Sequence, residues 1–195
     1  MKLGLYGGTF DPIHIAHLII ASKAREQLSL DRMIFMPCAV PPHKLEEGIS
    51  DSQHRLQMVR LAVAGNPCFE ASDLEIRLGG LSYTVNTLDR LSRQYDLGPD
   101  QLFLIIGSDS YNEFETWHEP ERILSLCRIA VAGRPGDASG SRDHPQPKRI
   151  QMLDTPQLEI ASSRIRSWAR QGRSITYFVP RAVEQYIDQQ RLYCR

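Results

Sequence analysis

Four short apolar runs, each halted by a glycine or a proline, limit what this chain can become. They are Lys2–Tyr6 ahead of Gly7-Gly8, Met33–Met36 ahead of Pro37, Leu102–Ile106 ahead of Gly107, and Ile129–Ala132 ahead of Gly133. A strand wetted on one face alternates apolar with polar residues. Leu102–Ile106 does not alternate at all and reads as a strand covered on both faces. The gaps between runs carry helical spacing instead. Ala16, Ile20, Ala24 and Leu28 recur every four residues, and Asp51 can cap a helix whose inner face is Leu56, Val59 and Val63. Thr84–Tyr95 carries Val85, Leu88 and Leu91, and Glu119–Leu126 follows Trp117. Strand alternating with helix predicts an α/β fold: a Rossmann-like, doubly wound parallel sheet with helices on both faces.

The stretch Arg134–Lys148 is rich in Gly, Pro and Ser and breaks this rhythm. It is expected to be a mobile loop rather than a domain linker, because too little chain follows it to build a second core. A short strand near Ile150–Leu153 comes next, then a small helical part over about residues 160–195. One of its helices starts near Ser162 and buries Ile165 and Trp168; the other takes Pro180 as its first residue and buries Val183 and Ile187. One domain spanning residues 1–195 is therefore expected, large enough to bury roughly 70% of its unfolded surface.

Lys plus Arg number 23 and so do Asp plus Glu, giving no net charge. That argues against a broad surface for nucleic acid or anionic membrane, and leaves room for a local basic pocket. Cys38, Cys68, Cys127 and Cys194 contain no C-x-x-C pair and are expected to be buried small hydrophobes. No apolar run is long enough to span a bilayer, and no basic start leads into a long apolar core as in a signal peptide. A cytoplasmic protein is the expectation.

The first candidate site lies in GLYGGTFDPIHIAH, residues 4–17. Glycines after the first strand of such a sheet let backbone amides approach a phosphate closely. The segment is neither a Walker A loop nor a G-x-G-x-x-G dinucleotide fingerprint. It has instead His14 and His17, three apart and so on one face of a helix that Asp11-Pro12 could open. Imidazoles beside free amides at a helix start make an anion cradle able to stabilise charge on a phosphoryl group. No nearby Cys, Asp or Glu completes a tetrahedral zinc set with them.

Gly8-Thr9-Phe10-Asp11-Pro12 followed by His14-Ile15-Ala16-His17 resembles the T/H-x-G-H signature of the nucleotidylyltransferase superfamily, with Ala16 where glycine is usual. Ala161-Ser162-Ser163-Arg164-Ile165-Arg166 resembles its second motif, I-S-S-T-x-I-R, with Ala161 and Ser163 in place of Ser and Thr. There the serines can cap a helix and meet phosphate, and Arg166 can grip phosphate oxygens. Three further segments are Pro41-Pro42-His43-Lys44, Gly80–Val85, and Gly107-Ser108-Asp109 with Phe114 and Trp117 behind it. Together they are similar to bacterial nicotinate-nucleotide adenylyltransferases, in the same order along nearly the whole chain.

That resemblance implies transfer of the adenylyl group of ATP to nicotinate mononucleotide, giving deamido-NAD and pyrophosphate. It implies catalytic roles for His14, His17 and Arg166. ATP would be held by Gly7, Gly8, Thr9, Phe10, His14, His17, Gly107, Asp109, Ser162, Ser163 and Arg166, with Asp109 on its ribose. The acceptor would be held by Lys44, Thr84, Trp117, His118 and Arg134. Trp117 offers the pyridine a flat platform and the Thr84 helix start suits its carboxylate; His118 stands where relatives often carry tyrosine. Magnesium would arrive with ATP, since no dedicated metal cage is visible, and His14, His17, Lys44, Arg166 and that ion would offset the charge of two anionic substrates. Nicotinamide mononucleotide or phosphopantetheine as acceptor, or an ATP-binding sensor without turnover, remain alternatives. Oligomeric state is not legible.

Overall fold

A computed structural model of the chain describes residues 1–40, 48–133 and 147–194. Its centre is a six-stranded sheet of β1 (Leu3–Gly8), β2 (Arg32–Pro37), β3 (Phe69–Ala71), β4 (Leu102–Gly107), β5 (Arg128–Gly133) and β6 (Ile150–Asp154). The spatial order is β3-β2-β1-β4-β5-β6 and every pairing is parallel. β1 pairs with β2 on one side and β4 on the other, so Leu5 lies opposite both Ile34 and Leu104. The strand order reverses at β1 and β4, the place where such sheets leave a crevice at their carboxyl ends.

The period of two along each strand sorts side chains into two cores. Tyr6, Phe35, Phe103 and Ile105 face one layer, with α1 (Ile15–Leu28), α2 (Ser52–Val63), α7 (Ser162–Arg170) and α8 (Arg181–Gln189). Leu5, Ile34, Leu104 and Val131 face the other, with α4 (Thr84–Tyr95) and α6 (Pro120–Leu126). Gly4 has a packing reason: a Cβ there would stand 2.7 Å from Leu30 Cδ1 and 2.8 Å from Met33 Sδ.

The predicted architecture agrees with this sheet, with differences of detail. Gly7 and Gly8 are the last two residues of β1, still paired with Met36 and Pro37, rather than a turn after it. β3 has no apolar run to announce it; it is an edge strand held to β2, with Arg32 and Glu70 2.7 Å apart across the pair. The short helices α3 (Leu74–Leu78) and α5 (Ser108–Asn112) are also additions. Pro180 caps α8 rather than entering it. Ile165 is buried as expected, but Trp168 is half-buried, packing on Phe178 with Arg164 and Arg173 over its ring. Of the cysteines, only Cys38 and Cys127 are buried; Cys68 is half-buried and Cys194 exposed. Most of the expected 134–148 loop lies outside the described residues; Pro147–Arg149 forms a 3-10 turn running into β6.

Candidate active site

The segment after β1 is held in place by buried polar bonds. Asp11 is 1% exposed. Its carboxylate accepts from the Tyr193 hydroxyl at 2.6 Å and the Ser50 amide at 3.2 Å, with Arg166 Nη1 3.8 Å away. The Asp11 carbonyl accepts from Arg166 Nη1 at 2.7 Å, and the Pro12 carbonyl from Ser162 Oγ at 2.9 Å. The second motif therefore grips the first from behind. This corrects the expectation for Ser162: Ala161 is the N-cap of α7 and the Ser162 hydroxyl braces the Pro12 carbonyl instead of capping. Ser163 is exposed and caps nothing either.

Helix α1 begins at Ile15, not at Asp11-Pro12. The Thr9–Ile13 loop is tied by the bonds just described, which places His14 at the N-cap with extended backbone and His17 at the third helical position. The two rings stack at 3.7 Å, and the His14 amide donates to His17 Nδ1 at 3.1 Å. Because Nδ1 accepts, the proton of neutral His17 sits on Nε2, where it can be donated. Phe10 meets the His17 ring edge-on at 5.0 Å. Phe10 itself is 2% exposed, so its side chain is a core prop for His17, which leaves only its backbone to meet a ligand.

Burial pushes the His14 imidazolium down to about 4. His17 is also held well below the usual histidine range, by burial first and by repulsion from His14 second. Both rings are neutral near pH 7 in the free protein, so they stand there as hydrogen-bonding groups. Stability follows. The unfolded chain protonates these residues below about pH 6.5, whereas the folded chain resists until about pH 4 at His14. Unfolding free energy is therefore expected to fall, as pH drops from about 6.5 toward 4, by about 1.4 kcal/mol per pH unit per histidine. Urea titrations at pH 7.5, 6.0 and 5.0 on the wild type and His14→Asn check this; parallel pH profiles for the two would refute it.

Two cavities open at the carboxyl ends of the strands. The larger of these two, about 640 Å³, is bordered by Gly7, Gly8 and Thr9 on one side and by Thr84, Trp117 and His118 on the other; a further cavity of about 780 Å³ lies along α3 and α4, lined by Leu74, Leu78, Asn86 and Arg90. The smaller, about 150 Å³, is bordered by Ala16, Ser108, Gly133 and Thr155. Gly79 and Gly80, both at positive φ, turn the chain so that Ser82–Thr84 reach the first cavity and Thr84 opens α4. Trp117 follows a 3-10 turn whose Phe114 is buried beneath it, with ring centroids 5.7 Å apart. His118 packs on Tyr83 at 4.5 Å and lies 3.1 Å from Glu119. Burial pushes the Glu75 carboxyl at the edge of this cavity upward, against a hydrogen bond from the Thr87 hydroxyl at 2.6 Å.

The structure thus brings together residues that the sequence assigned to different ligands. Gly7, Gly8, Thr9, Thr84, Trp117 and His118 share one cavity. His14, His17, Ser162, Ser163 and Arg166 border neither cavity; all but Ser163 gather around the Thr9–Ile13 loop. Buried His14 Nδ1 and Arg166 Nε have no hydrogen-bond partner, as suits groups awaiting an anion. Gly107 caps α5, and exposed Asp109 stands between Ser108 of the small cavity and Ser110 of the large one. Lys44 and Arg134 lie outside the described residues. Among the described residues no cluster of His, Cys, Asp or Glu could hold a metal, and no helix is long and apolar enough to cross a membrane.

Three supporting residues escaped the sequence reading. Tyr193 gave no local signal, because its partner Asp11 is 182 residues away, and Glu75 gave none because its partner Thr87 lies on another helix. Arg55 did give one: it is a charged residue inside the buried stripe of Leu56, Val59 and Val63.

A model of the cytidylyltransferase-like family matches residues 5–168. The chain is 43% identical to a protein of Geotalea daltonii and 44% identical to one of Citrifermentans bemidjiense, each covering 99% of this chain and 98% of the relative. Both relatives are named "Probable nicotinate-nucleotide adenylyltransferase". Among solved structures, the chain is similar to Plasmodium falciparum nicotinic acid mononucleotide adenylyltransferase complexed with NaAD. The TM-score is 0.80 at 19% identity, covering 98% of this chain and 97% of that one, a likeness of fold.

Proposed function

The chain belongs to the nicotinate-nucleotide adenylyltransferases of the cytidylyltransferase-like family, and from that membership we propose how its own residues carry the reaction. It transfers the adenylyl group of ATP to nicotinate mononucleotide, yielding deamido-NAD and pyrophosphate. The observation that supports the assignment of parts is the 640 Å³ cavity, with a glycine strand end on one wall and a helix start plus a tryptophan on the other. The acceptor occupies this cavity. Its pyridine lies on Trp117, and its carboxylate meets the first amides of α4, where the helix dipole favours a negative charge. The adenosine side lies toward the smaller cavity at β5 and β6, with Asp109 between the two.

An acceptor phosphate oxygen attacks the α-phosphorus in line. The new P–O bond forms as the bond to the β-phosphate bridge breaks, and pyrophosphate leaves with that electron pair. The nucleophile is already an anion, so no protein base is needed; the chain's work is positioning and charge stabilisation. His17 donates from Nε2 to the phosphate chain, His14 keeps that tautomer in place through its amide, and Arg166 supplies fixed positive charge. Magnesium, carried in on ATP, neutralises phosphate charge. We place the reaction in the cytoplasm, where ATP is supplied.

The test offers ATP and magnesium with nicotinate mononucleotide and nicotinamide mononucleotide in parallel. A kcat/KM favouring the acid by at least about tenfold is expected, since only the acid places a charge on the α4 amides. Equal use of both would overturn the carboxylate's placement. Trp117→Ala is expected to raise the acceptor KM by about tenfold or more while leaving the ATP KM nearly unchanged, the loss of one stacking platform. An effect confined to ATP would put the pyridine elsewhere.

A further inference from the structure

Arg55 is the largest fully buried side chain among the described residues, at 2% exposure. It projects from α2 into the space beneath the site. Nε donates to the Ser50 carbonyl at 3.0 Å, Nη1 to the Thr9 carbonyl at 2.9 Å and Nη2 to the Ala39 carbonyl at 3.1 Å. Nη1 also lies 3.8 Å from Cys38 Sγ. Among the described residues no carboxylate comes within ion-pairing distance of it. Burying a charge is costly, and an aliphatic residue would fill the same helical position more cheaply. What the guanidinium adds is geometry, because its planar fork reaches three carbonyls in three directions at once.

Those carbonyls belong to the segments that make the site. Thr9 follows β1, Ala39 follows β2, and Ser50 precedes α2 and also donates its amide to Asp11. Thr9 and Cys38 are walls of the larger cavity. The Cys38 amide donates to the Gly8 carbonyl at 3.0 Å, and the Ala39 amide to Ser82 Oγ at 2.9 Å, so Ala39 is held at both its amide and its carbonyl. We infer that Arg55 is a positioning residue for the transfer, a buried clamp that fixes the ends of β1 and β2 and so sets the acceptor cavity's shape. The substrate-specific part of this rests on the acceptor occupying that cavity.

Arg55→Lys keeps the charge and most of the stem but cannot span three carbonyls; Arg55→Met keeps only the packing. Near-UV circular dichroism checks that each is folded. Both are expected to raise the acceptor KM by at least about tenfold while the ATP KM moves less than about threefold. A folded lysine variant with wild-type KM values would overturn the inference, as would an activity loss that tracks only the unfolded fraction. A second readout needs no substrate. Amide hydrogen exchange in the free protein should quicken by about tenfold or more at Cys38 and around the Gly8–Phe10 segment in Arg55→Lys. Unchanged exchange there overturns the clamp. If exchange responds but the wild type ignores nicotinate mononucleotide, the acceptor assignment fails and the clamp stands. Should neither variant fold, exchange in the wild type decides: the Cys38 and Arg55 amides should open together with one denaturant dependence, and separate opening would refute the clamp.

Discussion

Replacing His17 by alanine should lower kcat by about 10²–10³-fold while the dissociation constant for ATP changes by less than about tenfold. The reason lies in how the ring is held. Its Nδ1 is occupied by the His14 amide, its face by the His14 ring at 3.7 Å and its edge by Phe10 at 5.0 Å. Only Nε2 is left to act, and a donor fixed before the substrate arrives stabilises developing charge without reorganising. Ground-state ATP is held by many other groups, so its affinity should suffer less. In the free protein burial keeps the ring neutral near pH 7, so it meets the substrate as a hydrogen-bond donor. Steady-state kinetics with calorimetric ATP binding on the same preparation separates the two quantities. Turnover at the wild-type level would remove His17 from the mechanism. His17→Asn keeps an N–H donor on a shorter stem, and should fall between alanine and the wild type.

The contrast between what was legible and what was not follows sequence distance. Leu102–Ile106 and Ile129–Ala132 announced buried parallel strands because local pattern and tertiary burial coincide there. α4 matched residue for residue because Val85, Leu88 and Leu91 form a clean buried face. β3 was missed because three half-buried residues at a sheet edge carry no pattern. The start of α1 was misplaced for a different reason. Asp-Pro is a good local opening, but here the Asp11 carboxylate is claimed by Tyr193, 182 residues away, so the helix is pushed on to His14. The same distance hid the true work of Ser162 and Arg166. Their motif was visible, while their bonds to the Pro12 and Asp11 carbonyls were not. The low basicity of the histidines in the free protein was not legible either, because burial, which sets it, is not a property of spacing.

Gly7→Ala should separate folding from chemistry. Among the described residues a Cβ at Gly7 would meet nothing within 4 Å beyond its chain neighbours, and its backbone is not in the left-handed region. Gly7 sits in the paired end of β1, where alanine costs the unfolded chain more freedom than it costs the strand. Thermal stability should therefore hold or rise slightly. The open space that spares the fold is the larger cavity itself, which Gly7 borders. A methyl group there stands where a substrate must approach the backbone, and displacement of the reacting groups by about 1 Å can cost about 10²-fold in rate. A drop in kcat/KM of about 10²-fold with an unchanged melting temperature is the expected pair of results. Gly8→Ala should behave differently. Its Cβ would lie 3.1 Å from Phe10 Cζ, so the ring that props His17 must shift, and stability and turnover should fall together. If Gly7→Ala kept wild-type kinetics, the substrates would have to bind without touching the end of β1, and the larger cavity would lose its claim to the acceptor.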